Sequence, residues 1–132
     1  MWSCPACGSS FRNRGQSHSC GVASVADHLA NASPVVAATY AAFVEALREI
    51  GDVEIHPAKT RIGFCNRMTF AAVWFRKGFL GGHLILDERP DSPLFRDGEL
   101  PIVHRFELHR PDDVDKDFVD WLRLAFQRGM KY

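Results

Sequence analysis

Apolar residues recur at helical spacing in two stretches of this chain and alternate with polar ones in several others. Val36, Tyr40, Phe43, Leu47 and Ile50 stand three or four positions apart, the period of an amphipathic helix. Ser33 supplies an N-cap hydroxyl, Pro34 suits the first helical position, and Gly51 ends the run. A shorter helix precedes it. Ser24-Val25-Ala26-Asp27 is a capping-box-like start, with Val25, Leu29 and Ala32 on one side. A last helix opens at Asp112-Asp113-Val114-Asp115. Its stripe is Val114, Phe118, Trp121, Leu122 and Ala125, with Gly129 as its end.

Between these helices the period changes to two. Val53 to His56 is a short strand. Thr60 to Cys65 sets Ile62 and Phe64 against Arg61 and Cys65. Thr69 to Arg76 is long and aromatic. Leu80 to Leu86 sets three leucines against His83, and Ile102 to His109 sets Phe106 and Leu108 against Arg105, Glu107 and His109. Asn66-Arg67 and Lys77-Gly78 read as hairpin turns. Residues 88–101, polar and with three prolines, read as an irregular loop. The order predicts an α+β fold: an antiparallel sheet of four to five strands, two helices before it and one after. One sheet face meets the helices and the other is partly open.

Composition narrows the function. The chain has 132 residues, with 16 Lys plus Arg balanced by 16 Asp plus Glu. A uniformly basic nucleic-acid binder is excluded, but a local basic face is not. No apolar run approaches the ~20 residues of a membrane span. The first residues lack the basic start and apolar stretch of a signal peptide, so the cytoplasm is the expected location.

Three of the four cysteines fall within the first 20 residues, and in that compartment a disulfide framework is a poor explanation. Cys4-Pro5-Ala6-Cys7-Gly8 is a CxxC turn. Ten residues separate Cys7 from His18, and one separates His18 from Cys20. Three sulfurs and one nitrogen suit one tetrahedral, structural Zn²⁺, with Cys65 as the alternative to His18. Phe11 is the expected apolar plug of this knuckle. A redox CxxC would need a strand before it and a helix after it, and neither is visible in the pattern. Residues 1–22 are therefore read as a zinc knuckle and 23–132 as the α+β domain. So small a leader takes its folding energy from the metal.

Other chemistry is sparse. Asp112, Asp113, Asp115 and Asp117 fit a helix start, where carboxylates are favoured. His56, His83, His104 and His109 form no ligand pair by spacing. His104 shares parity with Phe106 and reads as a hydrogen-bonded, partly buried histidine. Cys65 reads as an inert strand thiol. Lys59, Arg61, Arg67, Phe70, Trp74, Arg76, Lys77, His83 and Arg105 lie on or beside strands. Basic groups hold phosphates and aromatics stack on bases, so this set is a candidate nucleic-acid or ligand-binding face. The alternative is that Phe70 and Trp74 are core, since residues 70–75 are apolar on both parities.

Pro57-Ala58-Lys59-Thr60-Arg61-Ile62-Gly63-Phe64, then Thr69-Phe70-Ala71, Arg105-Phe106-Glu107-Leu108 and Pro111-Asp112-Asp113 resemble domain-of-unknown-function family 5655 over residues 35–129. The leader looks like the zinc knuckle of one branch of that family. The resemblance implies work near nucleic acid, because similar domains occur beside nuclease-like ones. The expected function is a non-enzymatic, zinc-containing binding module that contacts nucleic acid through the basic and aromatic sheet face. The alternatives are a protein-interaction or regulatory module with a purely structural zinc, or a small-molecule site using His83, His104 and Arg105.

Overall fold

The computed structural model describes residues 1–16, 24–97 and 100–131. In chain order its elements are β1 (Trp2–Ser3), β2 (Ser10–Phe11), α1 (Val25–Leu29), α2 (Pro34–Ile50), β3 (Glu54–Pro57), β4 (Ile62–Cys65), β5 (Thr69–Arg76), β6 (Phe79–Ile85), β7 (Phe95–Asp97), β8 (Val103–Leu108) and α3 (Lys116–Lys131). The fold is α+β with an antiparallel sheet and three helices among the described residues. None of these helices is long and apolar enough to cross a membrane.

The helix starts follow their capping residues. Ser24 Oγ accepts the Asp27 N–H at 3.0 Å, and Ser33 Oγ accepts the Val36 N–H at 3.2 Å. The acidic run serves two successive turns. Asp113 Oδ2 accepts the His109 N–H at 2.7 Å to hold a 3₁₀ turn over Pro111–Asp113, and Asp115 Oδ1 accepts the Phe118 N–H at 2.9 Å to start α3. Gly129 does not end α3. It is buried inside that helix, against Asn66 and Phe70, and the helix runs on to Lys131.

Among the described residues the sheet has eight strands, not four to five, in the order β1-β2-β3-β4-β5-β6-β8-β7. The three additional strands, β1, β2 and β7, have two or three residues each, too few to display a period. β7 lies within the segment read as irregular loop, where Phe95 faces Phe106 across the ladder. β1 and β2 extend the sheet past β3 through the pair Ser10↔Ile55.

α2 and α3 cover one face of the sheet. Phe43 of α2 stands 5.1 Å from Phe64, 5.9 Å from Phe106 and 6.1 Å from Phe118, ring centre to ring centre. All four rings are fully buried. This core holds the sheet rigid from beneath and leaves the side chains of opposite parity on the other face.

Candidate functional site

On the face away from the helices, alternation places Ala72 and Trp74 on β5, Gly81 and His83 on β6, and Arg105 and Glu107 on β8. The register aligns Ala72↔His83, Trp74↔Gly81 and His83↔Arg105. Trp74 is the centre of the group. The Arg61 guanidinium lies 5.3 Å and that of Arg105 5.8 Å from the indole centre, within cation–π range. The His83 ring is 5.8 Å from the indole, tilted by 57°. Arg61, Trp74, Arg76, His83 and Arg105 line one cavity of about 480 Å³.

The indole has a defined seat. A Cβ at position 81 would stand 2.4 Å from Trp74 Nε1, so the ring rests against the bare backbone of β6. Glycine is required there by close approach. His83 is pushed down to about 4, by burial first and by Arg61 and Arg105 second. At neutral pH it is an uncharged imidazole, offering one donor and one acceptor. Arg61, Arg76 and Arg105 make no ion pair with any described residue. Glu107 shares the face but lies toward His109, at 3.7 Å. Three guanidiniums without an ion pair to any described residue, around a half-buried indole, can hold an anion that carries a flat ring.

The remaining candidates divide. Lys59 and Lys77 line an adjoining hollow with Arg76. Arg67 is exposed on the turn between β4 and β5, at the opposite end of those strands from Arg61 and Arg76. Phe70 is not on this face. The pairs Phe64↔Ala71 and Cys65↔Thr69 leave Phe70 without an opposite residue, a bulge that breaks alternation. The ring turns into the core, 5.5 Å from Phe126. The choice between core and open face thus has one answer for Phe70 and the other for Trp74.

Of His83, His104 and Arg105, only His83 and Arg105 converge. His104 is buried on the helix side, with Nε2 3.1 Å from the Leu86 carbonyl oxygen. Thr60 and Val103 also line the cavity and were not among the expected residues. The parity Val103 shares with Arg105 was the available signal.

At the N-terminus, Cys4 and Cys7 are both buried. The Gly8 N–H donates to the Cys4 carbonyl at 2.9 Å, the Cys4 N–H donates to the Ser9 carbonyl at 2.7 Å, and Gly8 has φ 79°. Cys7 Sγ lies 3.1 Å from Ser9 Oγ. This tight turn with two sheltered sulfurs fits thiolate binding of zinc. A two-residue strand does precede the CxxC, but the strand β2 rather than a helix follows it. His18 and Cys20 lie outside the described residues. Among the described residues no three His, Cys, Asp or Glu side chains group as metal ligands, so Cys65 does not join Cys4 and Cys7 in such a set. The Cys65 thiol is pushed up by burial and by the Glu54 carboxylate, against the pull of Thr69 and Arg12, which suits an inert thiol. Phe11 reaches the main sheet as well as the leader: its ring is 5.2 Å from His56 and 6.3 Å from Trp2. His56 is in turn paired with Glu54 at 3.0 Å.

The family model described as Domain of unknown function (DUF5655) matches residues 25–129. The match begins at α1, ten residues before the resemblance read from the motifs. No curated protein and no solved structure matches the chain.

Proposed function

This chain belongs to the DUF5655 family, whose description assigns no activity, and from that premise we propose that it is a binding module for nucleic acid, with Trp74 as the stacking platform. The observation that carries this reading is the trio of guanidiniums, Arg61, Arg76 and Arg105, that make no ion pair among the described residues and stand around one indole beside a neutral histidine. Arginines hold phosphate by charge-assisted hydrogen bonds. A base laid against the indole gains stacking energy that tolerates any base. The balanced charge of the whole chain keeps attraction local to this face.

The leader belongs to the same proposal. Cys4, Cys7, His18 and Cys20 hold one structural Zn²⁺, which orders the N-terminal turn that the sheet carries at its β3 edge. Four protein ligands leave no open position, so the metal supplies folding energy and no reaction step.

The test is fluorescence anisotropy with labelled single- and double-stranded oligonucleotides at low and physiological salt. Binding in the micromolar range that weakens steeply with salt is the expected result, with Trp74→Ala and Arg61→Ala each lowering affinity. Absence of binding at low salt overturns the reading and leaves the module to a protein partner.

A further inference from the structure

The cavity around Trp74 does not stand alone. A second hollow of about 440 Å³ adjoins it at the β5–β6 hairpin, and the two share Thr60 and Arg76. Their chemistry differs. The first presents an aromatic plane. The second presents Lys59 and Lys77, both exposed and without an ion pair to any described residue. His28 forms a wall here rather than a binding group, because its Nε2 is held 2.6 Å from the Ala58 carbonyl oxygen. The Phe75 ring is packed by His28 at 6.0 Å and by the buried Tyr40 at 5.4 Å, side chains of the helices, whereas the guanidiniums over Trp74 belong to the exposed Arg61 and Arg105. The hollow therefore offers positive charge without an open plane.

Resting on the nucleic-acid reading above, we infer that the second hollow is a phosphate subsite and that the ligand is a single strand running from Arg105 across Trp74 to Lys59 and Lys77. A base stacks on the indole in the first hollow, Arg76 spans the junction, and the two lysines neutralise backbone phosphates in the second. A duplex keeps its base faces stacked within itself and cannot present one to Trp74, so the strand must be open. Lysine suits the second hollow because it meets phosphate as a point charge with free rotation, whereas the forked guanidiniums sit where geometry is fixed by the ring.

The experiment compares the wild-type protein, the double variant Lys59→Ala/Lys77→Ala and a control double variant, Lys116→Ala/Lys131→Ala, whose exposed lysines lie on α3 behind the sheet. Binding of a fluorescein-labelled single-stranded 12-mer and of its duplex is followed by anisotropy across a salt series. Each single-strand phosphate contact contributes about 0.7 to the slope of log K against log salt, so the first variant should flatten the slope by about 1.4. The control should keep the wild-type slope, the single strand should bind more tightly than the duplex, and quenching of tryptophan fluorescence at saturation should persist in all three proteins. Matching thermal unfolding curves verify that each variant is folded. If the wild type binds but the slope is the same in the first variant, or falls equally in the control, the phosphate subsite is overturned while the broader reading stands. Tighter binding of the duplex overturns the single-strand assignment. If the wild type binds neither oligonucleotide, both readings fall.

Discussion

The uncharged state of His83 ties the candidate site to the stability of the whole protein. In an unfolded chain an imidazole titrates near 6.5, whereas in the fold burial, helped by Arg61 and Arg105, holds His83 at about 4. Between those values the unfolded chain takes up a proton that the folded protein refuses. This contribution to stability is therefore fully present above pH 6.5 and is lost as pH falls toward 4. A displacement from 6.5 to about 4 corresponds to about 3 kcal/mol at full strength. The ring is half-buried, and solvent screening leaves roughly 1–2 kcal/mol. Substituting His83→Gln removes the titration and keeps a polar side chain of similar reach. Urea unfolding of both proteins, at a series of pH values through this window, measures the effect as a difference. Other titrating groups cancel in that difference. The variant should gain about 1–2 kcal/mol on the wild type between neutral pH and pH 4. Parallel curves through the whole window would refute the argument, as would an imidazole titrating near 6.5 by NMR.

Three further outcomes follow from the same contacts. Phe43→Ala empties the junction of α2 with Phe64, Phe106 and Phe118 and should cost about 3–5 kcal/mol in urea unfolding, a large part of the ~5–15 kcal/mol that holds a domain together. Gly81→Ala drives a methyl group into the indole seat; oligonucleotide affinity by anisotropy should fall by about tenfold or more, equivalent to ~1.4 kcal/mol of lost stacking, while Gly63→Ala, whose Cβ meets nothing closer than 3.8 Å, should bind as the wild type. If the proposed zinc site is right, Cys7→Ala removes one of its thiolates, so metal content by atomic emission should drop from about one per chain to a small fraction, and retention of a full equivalent would sink the ligand assignment.

Features encoded by near neighbours were legible in the sequence. Ser33, Pro34 and Gly51 bound α2 because capping and backbone geometry act within a few residues. Alternation alone placed Arg61, His83 and Arg105 on one side, and the structure gathers them around Trp74. What escaped depends on partners far along the chain. The bulge that turns Phe70 inward exists only when β4 and β5 pair out of step. Gly129 reads as a helix stop until Asn66 arrives beside it. That asparagine donates from Nδ2 to the Phe126 carbonyl at 2.7 Å and accepts the Arg67 N–H at 2.7 Å, locking a turn of the sheet to α3. β7 carries too little local pattern to show itself, and its three residues gain their place from β8. The contact of Phe11 with His56 escaped as well, because the two stand 45 positions apart.

The hairpin of β1 and β2 has a consequence for the behaviour of the chain in concentrated solution. It sits where the sheet would otherwise end at β3, joined by Ser10↔Ile55 and by the Arg12 N–H reaching the Glu54 carboxylate at 3.2 Å. An uncovered edge offers its backbone to any passing strand and seeds self-association. β3 carries its own deterrents, the charge of Glu54 and the missing N–H of Pro57, but Ile55 lies between them as a buried apolar residue. The leader thus covers the β3 edge and leaves only the two-residue β1 at that end of the sheet, and a very short edge strand offers little backbone for another chain to pair with.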